Sequence, residues 1–592
     1  MRKIVFAFLF IGSFISISAC QKECSDQFLS TGRKLIVNIT AGQSDTKTVL
    51  YGTETKWKTG DMVTVMYKKE GNNNWYTSQS GAASSSDEFA TATFSVTLDE
   101  PNTEVSAYAI YPANSITQSV QANAKIPISP IQYPSGTSFD GNSDVLISQP
   151  FTPSSSVSTL FSRASAVLKI KVQNPSLSSE KLLSLSVTGE NDLAGDIQVG
   201  LSDHTVKNTV QNSSKTVTAI YSESKQFTIG EPEKYVYLIV KPQTLANGST
   251  LTVNGVTENY TFTKDIILEN AIHLNAGHII PLNISITSVT PKLGWYRVED
   301  ESWLHSGDFV VIANHNNTSI MSSTQHSDNY RVGLEITVEN KKITYFNNDA
   351  QLFILETGTK VSSFAFWCNN GNKFNNYLYS GANNNSLTSQ SSLNDYSSFI
   401  ATLADDGYGS LTGQGGNSNN MLRYNNTNTR FCCYASGQQN ISIYKYYGGY
   451  PGQVFGFATF RFNKAEDLTT LGITPPLEST DLDNNTNYTL GDVIMTISHG
   501  STNTRIWNKD GKYDLRLYPG GGSLLFDAGA GKTIKKIEFV ASNGTTNFDL
   551  TSPSGSFTST YVWDAGEASI HSVSFTPNTK NNYISVVRVT LN

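Results

Sequence analysis

Apolar and polar side chains alternate with a period of two along most of this chain. Val63 and Val65 interleave with Thr64 and Met66; Phe94, Val96 and Leu98 with Ser95 and Thr97; Leu168, Ile170 and Val172 with Lys169 and Lys171. Such a period places one side of each segment in a core and the other in water, which is the geometry of a β-strand. Helical spacing is rare, its clearest instance being the short stretch from Lys464 to Leu471. Glycine and proline interrupt the strands at short intervals, as sandwiches and barrels require. The expected fold class is therefore all-β. A single core cannot serve 592 residues, and at ~100–200 residues per domain three to five are expected.

Composition narrows the function classes. Only 15% of residues are charged, the net charge is -7, and Lys and Arg are nowhere clustered. Phosphate backbones are held by concentrated basic faces, so nucleic acid is excluded as an expected partner. Beyond Cys20 the cysteines are Cys24, Cys368, Cys432 and Cys433, too few for a disulfide framework. A bridge from Cys368 to Cys432 or Cys433 and a set of buried free thiols are both compatible with the spacing.

The amino terminus carries an address. Arg2 and Lys3 precede an apolar run from Ile4 to Ile17 that is broken by Gly12, Ser13 and Ser16. The layout is that of a secretory signal, too short and interrupted for a membrane span. The run ends in Ile17-Ser18-Ala19-Cys20, which resembles the lipobox of bacterial lipoproteins. That resemblance implies a signal peptide over 1–19 and lipidation of Cys20. At ~0.8 kcal/mol per buried methylene, several acyl chains on one cysteine make a nearly permanent anchor. Residues 20–27 read as linker, and Gln21-Lys22-Glu23 resembles the surface-export signal of Bacteroidetes lipoproteins. The expected location is the surface-exposed face of a cell outer membrane, or a fimbrium.

Five segments then follow in order. They are WKTGDMVTVMY from Trp57, VSAYAIYPA over 105–113, FSRASAVLKIKV over 161–172, YVYLIVKPQTL over 235–245 and HLNAGHIIPLNISI over 273–286. Physically, Gly60-Asp61 is a turn that opens a strand, Pro112 and Pro242 close strands, and Trp57 is a core anchor. In this order and spacing the five are similar to the fimbrillin family of Bacteroidetes, the subunits and tip proteins of type V pili. The resemblance implies two β-sandwich lobes, at 28–149 and 150–288, with the split in the Ser/Pro-rich stretch Pro150 to Ser156. It also implies assembly with other pilus subunits by strand addition, which satisfies a row of backbone groups at once. In the family such assembly follows proteolysis at an arginine before the first strand, a place that Arg33 occupies here. About 300 further residues set the chain apart from a plain shaft subunit and favour a tip, accessory or stand-alone adhesin.

The next region, 294–446, is rich in Asn, Tyr and Ser. It repeats itself weakly in NNTSIMSST at Asn316, NNYLYSGAN at Asn375 and NNMLRYNNT at Asn419. Met321, Leu378 and Leu422 are then equivalent, 57 and 44 positions apart. Three copies of a strand-turn unit suggest a β-trefoil, with another all-β module built on an Asn-rich coincidence as the alternative. The segment from Met421 to Tyr447 also resembles a module appended to many secreted Bacteroidetes proteins. The last region, 455–592, reads as a jelly-roll-like β-sandwich: FATFRF, a short helix, then strands at Val493, Asp514, Ile534, His571 and Tyr583. Within it Arg505 and Trp507 lie near Arg516 and Tyr518. Should these converge, rings and guanidinium forks would form a platform for sugars, since rings stack on apolar sugar faces while Arg bonds hydroxyls. Core aromatics with Arg on the rim are the alternative.

No catalytic constellation is legible. The eight histidines form no HExxH pair, no G-x-S-x-G elbow or P-loop occurs, and the cysteine spacing fits no zinc site. Asp405-Asp406 sits in LADDGYGS, a turn sequence. The expectation is a binding and assembly protein with no catalytic residues, no metal and no cofactor. Its expected partners are the membrane through its lipid, pilus subunits, and a glycan or a host or bacterial surface ligand.

Overall fold

The computed structural model describes residues 33–592 except 42–48, 52–53, 84–90, 114–122, 327–328, 382–383, 405 and 543–547. The chain is all-β, and the one α-helix among the described residues is Ala465–Thr470. The expected signal peptide over 1–19, Cys20 and the expected export segment lie outside the described residues.

The first lobe packs two sheets. One orders Ser156–Thr159, Lys34–Ala41 and Ala92–Asp99; the other orders Phe161–Arg163, Leu146–Ser148, Tyr108–Tyr111, Thr64–Lys68 and Trp75–Gln79. Trp57 is the anchor between them, with Phe94, Tyr111 and Phe161 edge-on to its ring at 5.1, 5.7 and 5.2 Å. The signature residues thus meet one another. Asp61 accepts from the Lys58 backbone N–H at 2.9 Å and from the Tyr111 hydroxyl at 3.1 Å. The fully buried Asp144 accepts from Arg163 at 2.9 Å and Ser165 at 2.7 Å.

The second lobe has a six-stranded sheet running Thr290–Pro291, Tyr260–Ile267, Thr250–Thr257, Leu182–Thr188, Thr216–Ile220 and Ile131–Gln132. Beside it are two three-stranded sheets, one centred on Ala166–Gln173 and one on Gly195–Gly200. The lobes exchange chain across the expected split at residue 150. Asn123–Ile128 and Ile131–Gln132, which precede it, pair in the second lobe, while Ser156–Thr159 and Phe161–Arg163, which follow it, pair in the first. Pairing, which local sequence does not encode, sets the division, and Pro150 to Ser156 is a return crossing.

In the third region, six strands pair successively and the last returns to the first. They are Phe309–Asn314, Phe353–Thr357, Phe364–Cys368, Ser398–Leu403, Gly409–Gly413 and Ile441–Tyr447. Three hairpins cap this closed ring: Ser319–His326 with Tyr330–Glu339, Tyr377–Tyr379 with Thr388–Gln390, and Met421–Asn425 with Arg430–Tyr434. Six barrel strands and three hairpins are the β-trefoil. Met321, Leu378 and Leu422 occupy the first strand of each hairpin and are all fully buried in one core, so the repeated segments are the threefold-related units. The cysteines here are free and buried. Cys368 lies 3.6 Å from the buried Arg331 guanidinium, and Cys432 is directed to the carbonyls of Asn329 and Asn385; of the two readings left open, free thiols is the one observed.

The last region is a sandwich. One sheet is ordered Ser479–Asp481, Arg505–Lys509, Lys512–Leu517, Asn582–Leu591, Ile534–Ala541, Val562–Asp564, Ser556–Ser559, with Phe457–Arg461 also on Asn582–Leu591. The other is ordered Thr486–Leu490, Val493–Ser498, Ser523–Ala528, Ser572–Pro577, Leu550–Thr551. Phe526, Phe575 and Trp563 fill the space between them.

Buried seams join successive regions. Trp303 donates its indole N–H to the Tyr221 carbonyl at 2.8 Å, and Leu183 and Ile220 of the second lobe enter the trefoil core. On the other side of the trefoil, Glu356 receives Arg461 and Lys464 of the last region together with the Tyr377 hydroxyl at 2.7 Å. Arg461 covers the Trp367 ring at 4.1 Å, and Val586 packs with Ile354 and Trp367.

Candidate functional site

Strands Arg505–Lys509 and Lys512–Leu517 form a tight hairpin in which Arg505 faces Arg516 and Trp507 faces Asp514. The alternation sends Ile506, Leu515 and Leu517 into the core. Arg505, Trp507, Arg516 and Tyr518 are left half-buried on the outer face, and the structure brings all four together. The Arg505 guanidinium stands 5.6 Å from the Tyr518 ring, and that of Arg516 stands 4.3 Å from Trp507. Tyr583 joins them from the neighbouring strand, in register with Arg516 and 4.5 Å from its guanidinium.

Two like charges directly across a strand pair repel. Here each has its own carboxylate: Asp481 lies 3.1 Å from Arg505, and Asp514 accepts from Arg516 at 2.8 Å. Asp514 is fixed in turn by the Ser542 hydroxyl at 3.0 Å. The result is a charge-balanced ladder of rings and guanidinia. Each cation–π contact at such a half-exposed place contributes ~0.5–1 kcal/mol. Because Arg516 lies against both Trp507 and Tyr583, a ligand would stack only on ring faces the guanidinia leave open. Paired carboxylates and guanidinia would address hydroxyls and not a net charge.

Sequence reasoning missed Tyr583, Asp481 and Asp514. Asp514 was within reach of it, since alternation through Asp514-Leu515-Arg516-Leu517 places it beside Arg516. Tyr583 and Asp481 belong to strands far away in the chain, and only pairing reveals them.

Arg33 is exposed, and its carbonyl accepts from the Glu100 N–H at 2.7 Å. The strand that follows it, Lys34–Ala41, lies between Ala92–Asp99 and Ser156–Thr159. Cleavage after Arg33 would leave that strand in its sheet. Asp405 lies outside the described residues, while Asp406 is exposed and accepts from the Tyr408 N–H at 3.1 Å within the turn. Among the described residues, no helix is long and apolar enough to cross a membrane and no cluster of His, Cys, Asp or Glu could hold a metal ion.

No protein-family profile and no curated protein matches the chain. Its neighbours among solved structures include putative cell adhesion proteins, fimbrial proteins and the lysenin pore. A putative cell adhesion protein from Bacteroides uniformis is 15% identical over 44% of this chain and 96% of that one, with a TM-score of 0.27. The tip fimbrial protein Mfa3 from Porphyromonas gingivalis is 10% identical over 44% and 98%, at 0.25. A fimbrial protein from Bacteroides ovatus is 11% identical over 49% and 57%, at 0.20. Superpositions at this level carry no argument about the activity of this chain.

Proposed function

We propose that this chain is a cell-surface lipoprotein of the fimbrillin type, anchored through Cys20, that serves as a pilus tip or accessory subunit or as a surface adhesin. It works by binding and assembly, not by catalysis. The observation that carries this reading is the series of buried seams. Tyr221 to Trp303 couples the second lobe to the trefoil, and Glu356 to the buried Arg461 and the half-buried Lys464 couples the trefoil to the last region. A chain that must hold a terminal module away from its anchor needs such continuity, whereas independent modules on linkers do not. Strand addition needs an open edge, and Ile279–Ser285 ends its sheet.

Immunogold labelling of intact cells, with mass spectrometry of the mature amino terminus, tests it. Label on filaments or tips with a terminus at Lys34 fits a pilus component, and label on the membrane with an acylated Cys20 fits a tethered adhesin. Absence of surface label would overturn both. The Arg and aromatic ladder favours a second reading, a carbohydrate-binding lipoprotein independent of pili. Under it the ectodomain binds a glycan array and loses the signal in Trp507→Ala.

A further inference from the structure

A cleft of about 510 Å³ lies between the six-stranded sheet of the second lobe and the trefoil, lined by residues of both. That volume falls within the ~300–1,000 Å³ of small-molecule sites. The outer face of the sheet supplies its floor. Registration lines up Thr218, Ser186, Asn254 and Thr263 across four adjacent strands, with Ser184 and Thr261 one row away. The trefoil supplies the opposite wall: Tyr296, and the turn Glu339 to Lys342 with Thr344 behind it. Asn340 and Lys341 both have positive φ, 48° and 65°, which is the signature of the tight turn that joins two strands in a hairpin.

The hydroxyls of the floor differ from those of the row beside it. In that row Thr188 bonds Thr216 at 2.8 Å, and Thr252 donates to Asp265 at 2.6 Å. Inside the cleft Thr263 donates to Asn254 at 2.7 Å. Among the described residues, the hydroxyls of Ser184, Ser186, Thr218 and Thr261 and the Asn254 amide nitrogen have no protein partner. Ser184 and Thr218 are only 4% and 6% exposed, and both line the cleft. Buried polar groups normally find partners. A row of them left open beside a row that is closed is a surface arranged for something else to bond.

The charge pattern says what. The floor carries no ionisable side chain. On the far wall the Lys341 ammonium is paired with Glu299, the Lys342 ammonium lies 5.4 Å from the Tyr296 ring, and the exposed Glu339 adds a carboxylate, so the wall carries both signs and no single charge. An ionic ligand would lose its hydration to a floor without a counter-charge. A neutral ligand with many hydroxyls would exchange water for Ser, Thr and Asn partners at no such cost and would set an apolar face against Tyr296. We propose that this cleft binds a short neutral oligosaccharide. It is a site separate from the Arg505 to Tyr583 ladder, formed only because the second lobe and the trefoil are held together.

The test uses the whole ectodomain, titrated calorimetrically with maltohexaose, xylohexaose, mannohexaose and cellohexaose, with oligogalacturonate as acidic comparator. Binding of at least one neutral hexasaccharide is expected. Asn254→Ala with Ser186→Ala should weaken it at least tenfold, and Thr263→Trp, which fills the cleft from an exposed position, should abolish it while the unfolding temperature is unchanged. Val361→Ala, at an exposed place on the trefoil outside both the cleft and the ladder, should leave it as it was. No neutral binding, binding of the acidic probe alone, or full binding by Thr263→Trp would overturn the proposal. Loss in Trp507→Ala alone would assign the sugar to the ladder and overturn it equally, while leaving the surface-adhesin reading intact.

Discussion

Lys292 is the residue whose replacement tests most directly how the second lobe meets the trefoil. It is 4% exposed, its ammonium is 3.5 Å from the Thr257 carbonyl and 3.5 Å from the Tyr447 ring. Burial, and then the neighbouring Lys445, push its pKa from 10.5 down to about 7, against the weaker pull of Glu299 and Glu258. At pH 7 the unfolded chain holds this proton fully and the folded chain holds it about half the time. Stability therefore rises with pH between about 7 and 10.5, because the unfolded state binds more protons there. At ~1.36 kcal/mol per pH unit of displacement, the buried ammonium costs the fold about 4 kcal/mol at pH 7, about 5 well below it, and almost nothing above 10.5. Lys292→Met keeps the stem and removes the charge. It also forfeits the contact with Tyr447, worth ~1–2 kcal/mol, so the net gain expected at pH 7 is ~2–3 kcal/mol. Denaturant unfolding followed by tryptophan fluorescence, run on both proteins from pH 6 to 10.5, reads the difference. It should be flat below pH 7 and should fade toward zero by pH 10.5. A difference that does not change with pH, or a loss of stability at pH 7, would refute the reasoning.

Two other outcomes follow from the packing. Burial pushes the Glu356 carboxyl up, but Arg461 and Lys464 outweigh that and hold it below the ordinary carboxylate value. Glu356→Gln leaves the buried Arg461 with Asp467 alone, at 3.4 Å, and should cost ~1–3 kcal/mol near neutral pH. Since the folded pKa is lowered, that stabilisation is present above the ordinary carboxyl range and lost as pH falls through the folded value. Calorimetry at pH 7 and pH 3 should show a smaller difference between the proteins at the lower pH. Met321→Ala, Leu378→Ala and Leu422→Ala each empty one threefold-related place in the trefoil core and should each cost ~2–5 kcal/mol. A trefoil transition in urea that shifts for one and not for its equivalents would contradict the threefold relation.

Features that depend on near neighbours are legible along the chain. Alternation marks the strands, including those expected to open at Ile534 and Tyr583 and observed as Ile534–Ala541 and Asn582–Leu591, because side-chain direction in a strand follows from position alone. The same short range made Met321, Leu378 and Leu422 legible as equivalents, and put Arg505, Trp507, Arg516 and Tyr518 on one hairpin. Features that depend on which distant segments pair are not legible in this way. The return of Ser156–Thr159 to the first lobe, the closure of Ile441–Tyr447 onto Phe309–Asn314, and the arrival of Tyr583 beside Arg516 are all of this kind. The physical reason is that backbone hydrogen bonds between strands are the same whatever the sequence, so partner choice is made by burial summed over whole faces. The cleft is the extreme case. Ser186 and Asn254 are ordinary outward-facing strand residues until the trefoil turn at Asn340 is set against them.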